Sequence, residues 1–192
     1  MTKAPFAHAL VTGASSGIGE SIAHKLGKAG VGMVLVARRK DRLDAIASQY
    51  SNCEVLAADL VTPAGLDAVL ARLRDTTRTP IDLVVNNAGF GTSGSFVDAD
   101  PERLSNEISL NINALMRIAH EAVRQMQPRG RSYLLNVSSI ASFQPGPGLA
   151  VYSATKAFVT SLTEALQDAT RGATSPRHHR LLGSLVVSQT AL

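Results

Sequence analysis

The chain of 192 residues is long enough for one domain with a sizeable core, and its composition, 45% hydrophobic and 18% charged, is ordinary for a globular protein. The formal net charge is +4, but no run of Lys and Arg is interleaved with aromatic residues, so we expect no nucleic-acid partner and a general preference for anions such as a cofactor phosphate. The single cysteine, Cys53, excludes an intrachain disulfide and fits a reducing, cytoplasmic location.

Apolar runs and helical patterns alternate along the chain. The apolar runs that predict strands are 7–12, 31–37, 54–58, 81–85 and 133–137, and the helical patterns cover about 20–29, 41–50, 63–75, 101–127 and 151–170. This alternation predicts an α/β fold with a doubly wound, Rossmann-like parallel sheet in a single domain. Because the first predicted strand lies close to the N-terminus, we expect no signal peptide, and no apolar stretch approaches the roughly 20 residues that cross a membrane.

The first predicted strand leads into a glycine-rich turn, Thr12-Gly-Ala-Ser-Ser-Gly-Ile-Gly19, that opens a helix. Glycines let the backbone approach a pyrophosphate, and a helix N-terminus offers free N–H groups and partial positive charge. The hydroxyls of Ser15 and Ser16 are candidate additional donors. We therefore predict a dinucleotide phosphate site, whose residues are Gly13, Ser15, Ser16, Gly17, Ile18 and Gly19.

Two arginines, Arg38 and Arg39, follow the second predicted strand. A carboxylate at this place would bind the ribose 2′-hydroxyl of NAD, and none is present. Guanidinium groups instead suit the 2′-phosphate of NADP through charge-assisted contacts. We expect NADP(H) to be preferred, with NAD(H) as the alternative cofactor. The competing interpretation is a solvated basic start of the next helix.

The third and fourth predicted strands also end in polar residues. Asp59 follows the third strand, where it would either accept the adenine amino group or cap a turn. Asn86-Asn-Ala-Gly89 follows the fourth strand and brings amides and small residues to the same edge of the sheet. The alternative for this segment is an ordinary polar loop, since Asn and Gly are common turn residues.

A hydroxyl, a phenol and an ammonium group are expected to converge near the fifth strand. Ser139 follows the run Tyr133–Val137, and the carboxyl end of a strand is where open α/β sheets place their ligands. Tyr152 and Lys156 are four residues apart, so on a helix they lie on one face, one turn apart. The competing interpretation is an amphipathic helix start with snorkelling side chains.

Together these motifs resemble the short-chain dehydrogenase/reductase family. The matching segments, in the family's order and spacing, are Thr12–Gly19, Asp59-Leu60, Asn86–Gly89, Asn111, Ser139 and Tyr152-x-x-x-Lys156. The resemblance implies an oxidoreductase that interconverts a carbonyl and an alcohol of a small molecule by hydride transfer, assembled as a homodimer or homotetramer. It also implies a cofactor site that includes Asp59, Leu60, Asn87, Ala88, Gly89, Tyr152 and Lys156 beside the glycine loop and the two arginines.

The resemblance assigns catalytic roles to four residues. Tyr152 would be the general acid or base, Ser139 would bind the substrate oxygen, and Asn111 would hold a water in a proton relay. A free phenol has a pKa of about 10, and the ammonium of Lys156 is expected to lower that pKa and to bind the nicotinamide ribose. The neighbours Ser138 and Asn113 remain competing positions for the serine and asparagine roles.

The family pattern stops after Arg171-Gly172. We expect residues 1–172 to form the dinucleotide-binding catalytic domain and residues 173–192 a divergent tail. Residues 181–187 are a candidate sixth strand, giving six strands at most, without the family's seventh edge strand. This suggests a truncated or frame-shifted reductase, so the competing function is a catalytically impaired dinucleotide-binding protein. His178 and His179 lack nearby cysteine or carboxylate ligands, and we expect no metal site.

Overall fold

The computed structural model describes residues 4–130, 132–171 and 183–185. The strands are His8–Thr12 (β1), Gly32–Ala37 (β2), Cys53–Ala57 (β3), Leu83–Asn86 (β4), Tyr133–Val137 (β5) and Gly183–Leu185 (β6). The α-helices are Gly17–Lys28 (α1), Lys40–Ala47 (α2), Pro63–Arg74 (α3), Pro101–Ile108 (α4), Leu115–Met126 (α5) and Ala150–Arg171 (α6). A π-helical segment, Ser109–Ala114, joins α4 to α5, and short 3₁₀ segments cover Gln127–Arg129 and Ile140–Ser142.

All the strand pairs described are parallel, and the six strands lie in the order β3-β2-β1-β4-β5-β6. This confirms the predicted doubly wound sheet. The sixth strand lies within the predicted range 181–187, whereas most of the predicted tail, with His178 and His179, lies outside the described residues. The strand order reverses between β1 and β4, and ligands of such sheets bind at the carboxyl edge beside that point.

Hydrophobic side chains cover both faces of the sheet. Alternate strand residues point to opposite faces, so Leu10 packs with α3 and α5, while Val11 packs with α1 and α2. The same alternation separates Val34 from Leu35 on β2. These strands are buried on both sides, which explains why their sequences are nearly continuous apolar runs.

Two helices begin with a capping side chain followed directly by proline. The Thr62 hydroxyl accepts a hydrogen bond from Gly65 N at 3.1 Å before Pro63, and Asp100 Oδ1 accepts one from Glu102 N at 3.0 Å before Pro101. The helix that begins at Pro101 is the long helix expected over 101–127. It is continuous in space but changes from α to π winding at Ser109 and back after Ala114.

Candidate active site

Thr12 and Asn87 join the glycine-rich turn to the end of β4. The Thr12 hydroxyl accepts hydrogen bonds from the backbone N–H groups of Asn87 and Ala88, both at 3.0 Å. In return, Asn87 Nδ2 donates to Thr12 O at 3.0 Å. These hydrogen bonds connect the ends of β1 and β4, the two strands between which the strand order reverses. The predicted site did not include Thr12, although its place before the first glycine was the available signal.

The glycines of the turn have different tasks. A Cβ on Gly19 would lie 2.3 Å from Gly13 O and 2.4 Å from Asn87 Nδ2, so this residue is required for packing under the turn. Gly17 has φ +59°, and no atom lies within 4 Å of its Cβ position. Gly17 therefore faces open space beside the N-terminus of α1, whose capping residue, Ser16, makes no side-chain hydrogen bond to the helix. This is where an anion would contact free N–H groups.

Arg38 and Arg39 differ in whether they form hydrogen bonds to the glycine-rich turn. Arg39 Nη2 donates to Ser15 Oγ at 3.0 Å and to Ser15 O at 3.2 Å, which ties its guanidinium to the glycine-rich turn. Arg38 is exposed and makes no hydrogen bond or ion pair with another described residue. Asp59 Oδ1 accepts a hydrogen bond from Val61 N at 3.1 Å, so the turn-capping alternative is realised and the second carboxylate oxygen points to no described donor.

A groove of about 440 Å³ connects these groups along the carboxyl edge of the sheet. Twelve of the fifteen predicted cofactor residues line it: Gly13, Ser15, Ser16, Gly17, Ile18, Arg38, Arg39, Asp59, Leu60, Asn87, Ala88 and Gly89. Gly19 packs beneath it instead. The remaining two, Tyr152 and Lys156, lie beyond Gly89, since a Cβ on Gly89 would be 3.6 Å from Lys156 Nζ.

Ser139, Tyr152 and Lys156 come together at the end of the groove, and all three are buried. The side chains of Ser139 and Tyr152 are hydrogen-bonded to each other. Lys156 Nζ lies 5.7 Å from the centroid of the Tyr152 ring and donates to Val137 O at 2.9 Å. Gly91 allows this arrangement, because a Cβ there would lie 2.9 Å from Tyr152 Cδ2.

The structure distinguishes the two neighbouring serines. Ser138 Oγ donates to Lys156 O at 3.1 Å and bonds Thr160 Oγ1 at 2.7 Å, so it fastens α6 to the end of β5. Ser139 has the opposite orientation and caps the 3₁₀ segment through a bond from Ala141 N. Only Ser139 therefore faces Tyr152.

The two candidate asparagines also differ. Asn113 is exposed, whereas Asn111 is buried within the π-helical segment. Asn111 Nδ2 donates to Phe90 O at 2.8 Å and to Thr155 Oγ1 at 3.0 Å, and its Oδ1 accepts from Phe90 N at 3.2 Å. Its side chain thus holds the β4–α4 loop against α6. The water-holding role stays a prediction.

The predicted lowering of the Tyr152 pKa is wrong for this structure. Burial raises the pKa of Tyr152; its hydrogen bond with Ser139 opposes that rise, and the negative charge of Glu107 adds to it. Burial also lowers the pKa of Lys156 to about 8, while Glu107 acts in the opposite direction. Sequence spacing identified the pair but not its burial, and burial decides the sign for the phenol.

Apolar side chains stand at the surface near Ser139. Ile140 and Phe143 follow it and are 58% and 64% exposed, and Phe96 in the β4–α4 loop is also 64% exposed. Gly94 N donates to Gly148 O at 3.0 Å, which joins that loop to the segment before α6. Exposed apolar side chains thus lie on the β4–α4 loop and directly after Ser139 in the chain.

Residues 4–130, 132–171 and 183–185 contain no group of three or more His, Cys, Asp or Glu side chains arranged to hold a metal ion. Within the same residues, none of the helices has the length and apolar character that spanning a bilayer requires.

The sequence and the fold were compared with known proteins. Residues 7–173 match the family model for short chain dehydrogenase. An uncharacterised oxidoreductase of Staphylococcus epidermidis is 36% identical over 160 residues, which cover 83% of this chain and 69% of that protein. An uncharacterised oxidoreductase of Staphylococcus aureus is 33% identical over 161 residues, with the same two coverages.

Solved structures give the same result. A short-chain dehydrogenase from Sphingobium yanoikuyae in complex with NADPH superposes with a TM-score of 0.80 at 40% identity, covering 85% of this chain and 65% of that one. A bulky-bulky ketone specific alcohol dehydrogenase from Comamonas testosteroni gives a TM-score of 0.86 at 34% identity, covering 96% and 73%. The chain therefore spans about two thirds of the length of the proteins that it matches.

Proposed function

The chain belongs to the short-chain dehydrogenase family, and from that premise we propose that it is an NADP(H)-dependent oxidoreductase that interconverts a carbonyl and an alcohol. The observation that carries the proposal is the buried Tyr152 phenol, hydrogen-bonded to Ser139, with Lys156 beside its ring at the end of the groove. A polar cluster of this kind suits proton exchange with a substrate oxygen.

The groove fits a dinucleotide. The open face of Gly17 and the N-terminus of α1 would hold the pyrophosphate, because they combine close backbone approach with free N–H donors. Arg38 would take the 2′-phosphate of NADP, since its guanidinium has no described protein partner. Asp59 and Leu60 would line the adenine pocket, and Asn87, Ala88 and Gly89 would lead to the nicotinamide end.

Ser139 and Tyr152 would hold the substrate oxygen through hydrogen bonds. The bound cofactor supplies or takes up the hydride. With its pKa raised, Tyr152 is a neutral phenol at neutral pH and can donate its proton to the carbonyl oxygen as the carbon becomes reduced. Lys156 remains an ammonium below its pKa of about 8, where its charge stabilises the phenolate left behind.

The substrate is a small molecule, and exposed apolar side chains favour one with a sizeable hydrophobic part. Ile140 and Phe143 directly follow Ser139 in the chain, and Phe96 lies on the loop that Gly94 joins to the segment before α6.

Self-association is part of the same proposal. A mostly apolar groove of about 490 Å³ lies on α5 and α6, lined by residues such as Met116, Val123 and Leu166. Light scattering of the purified chain should therefore show a dimer or tetramer, and a monomer would contradict the proposed self-association.

The function is tested with the purified chain in two steps. Titration with NADPH, followed by cofactor fluorescence, should show saturable binding that is tighter than binding of NADH. A panel of aldehydes and ketones should then cause oxidation of NADPH, with bulky apolar ketones turned over best. Binding without oxidation of NADPH by any substrate would favour the alternative, a catalytically impaired dinucleotide-binding protein. Absence of binding would refute both.

A further inference from the structure

Glu107 is a buried acidic residue that has no role in the function proposed above. It is 0% exposed, and neither of its carboxylate oxygens has a hydrogen-bond partner among the described residues. A buried carboxylate without partners destabilises a fold, because its hydration is lost without replacement. A group of this kind often has a functional reason for being retained.

Glu107 lies on the helix face that packs against α6. It is one turn before Asn111, whose Nδ2 bonds Thr155 Oγ1 at 3.0 Å, so the two side chains share the face toward α6. On α6, Tyr152 and Lys156 flank Thr155. The negative charge of Glu107 acts on both side chains: it adds to the rise in the pKa of Tyr152 and opposes the lowering of the pKa of Lys156 by burial.

The surroundings of Glu107 contain few other charges. From α6 the titratable groups facing it are Tyr152 and Lys156. The charged residues of α4 and of the loop before it are exposed to solvent: Asp98, Asp100, Glu102 and Arg103. Arg103 in addition lies over the Phe90 ring, at 5.1 Å from its centroid. Solvent screens these outer charges, so Lys156 is the cation that Glu107 affects most strongly.

We propose that Glu107 is the buried counter-charge of the Tyr152–Lys156 pair and holds it in the phenol and ammonium forms, the state that donates a proton to a carbonyl oxygen. The inference rests on the carbonyl–alcohol function proposed above and deepens it, because it makes the proton-donating form of the pair the predominant one near neutral pH. Glu107 is a positioning residue here, since it acts through Lys156 and Tyr152 and does not touch the substrate.

The test removes the charge and keeps the shape. In Glu107→Gln, Lys156 and Tyr152 should both lose their protons more readily. The alkaline limb of the pH profile for reduction should therefore move to lower pH by about one unit, and the pH optimum for alcohol oxidation should move in the same direction. Glu107→Asp, which keeps the charge, should restore much of the original profile. Glu102→Gln, on the exposed side of the same helix, should leave it unchanged.

A cofactor-free measurement separates this inference from the proposed function. The chain has three tyrosines, so the phenolate absorbance of each variant minus that of the same variant carrying Tyr152→Phe isolates Tyr152. In Glu107→Gln this titration should move to lower pH. If it moves but no substrate is reduced, the inference stands and the proposed function fails.

The opposite outcome overturns the inference. If the variant reduces carbonyls with an unshifted profile and an unshifted Tyr152 titration, Glu107 is only a packing residue. Should Glu107→Gln fold poorly, Glu107→Met provides the same neutralisation with an apolar side chain.

Discussion

The groove and the cluster around Tyr152 contain similar polar groups in opposite environments. In the groove, Ser16, Arg38 and Arg39 are exposed, and Arg38 has no described partner. Around Tyr152, the polar side chains are buried and interlocked. Asn111 alone makes three hydrogen bonds, to the backbone of Phe90 and to Thr155.

This difference matches two different tasks. A cofactor that must enter and leave needs donors that are available to it, and water solvates these donors in the meantime. Proton transfer needs groups held within a few tenths of an ångström, and buried hydrogen bonds provide that precision. We therefore expect substitutions in the groove to change affinity, and substitutions in the cluster to change turnover.

The largest expected effect is at Tyr152. Tyr152→Phe removes the proton donor but keeps the ring against Gly91, so turnover should fall by about 10²- to 10⁴-fold while NADPH binding changes little. Steady-state rates and cofactor fluorescence measure the two quantities. Tyr133→Phe, whose ring packs edge-on against Phe6, is the matched control and should keep its activity. Equal losses in both variants would mean that general unfolding is the cause.

The next largest effect is expected at Gly19, which packs between the glycine-rich turn and Asn87. Gly19→Ala places a methyl group 2.3 Å from Gly13 O, which cannot move without shifting the backbone. The free energy of unfolding should fall by about 1–3 kcal/mol, measured by denaturant titration, with weaker cofactor binding. Gly146→Ala is the control, because its Cβ position has no neighbour within 4 Å. Unchanged stability in Gly19→Ala would show that the turn is looser than described.

The smallest effect concerns cofactor choice. Arg38→Ala should reduce the preference for NADPH over NADH by about 10-fold without changing stability, because this exposed guanidinium has no described partner to lose. Arg39→Ala should weaken binding of both cofactors, since it also releases Ser15. Competition titrations with the two cofactors give the ratio. An unchanged ratio in Arg38→Ala would leave the NADP assignment without support.

The fold was predictable because its signals are local. Continuous apolar runs, glycine at the strand ends and Pro63 or Pro101 at helix starts indicate the alternation of strands and helices. The family then follows from the order and spacing of the motifs, whereas the order of the strands in the sheet appears only in the structure. The identity of the groove residues was also predictable, since strands that are parallel present their ends at one edge.

The remaining features depend on three-dimensional phase and burial. Whether Ser138 or Ser139 faces Tyr152 depends on the residue at which β5 ends. Asn111 is buried and Asn113 is exposed because of how this long helix lies against the rest of the fold, which the residue types alone do not give. Glu107 carried a signal, a charged residue one turn before Asn111, but its isolation from partners appears only in the folded structure.

The π-helical segment Ser109–Ala114 also makes the site sensitive to the number of residues in this helix. Such a segment contains one residue more than α-helical winding needs. Removing one residue from it would restore continuous α-helical winding, so Glu107 on α4 and Ile118 and Ala122 on α5 would keep their faces. The widened turn that carries Asn111 would be lost. A single deletion, without any change of residue type elsewhere, would thus disturb Asn111 and leave the packing of the fold intact.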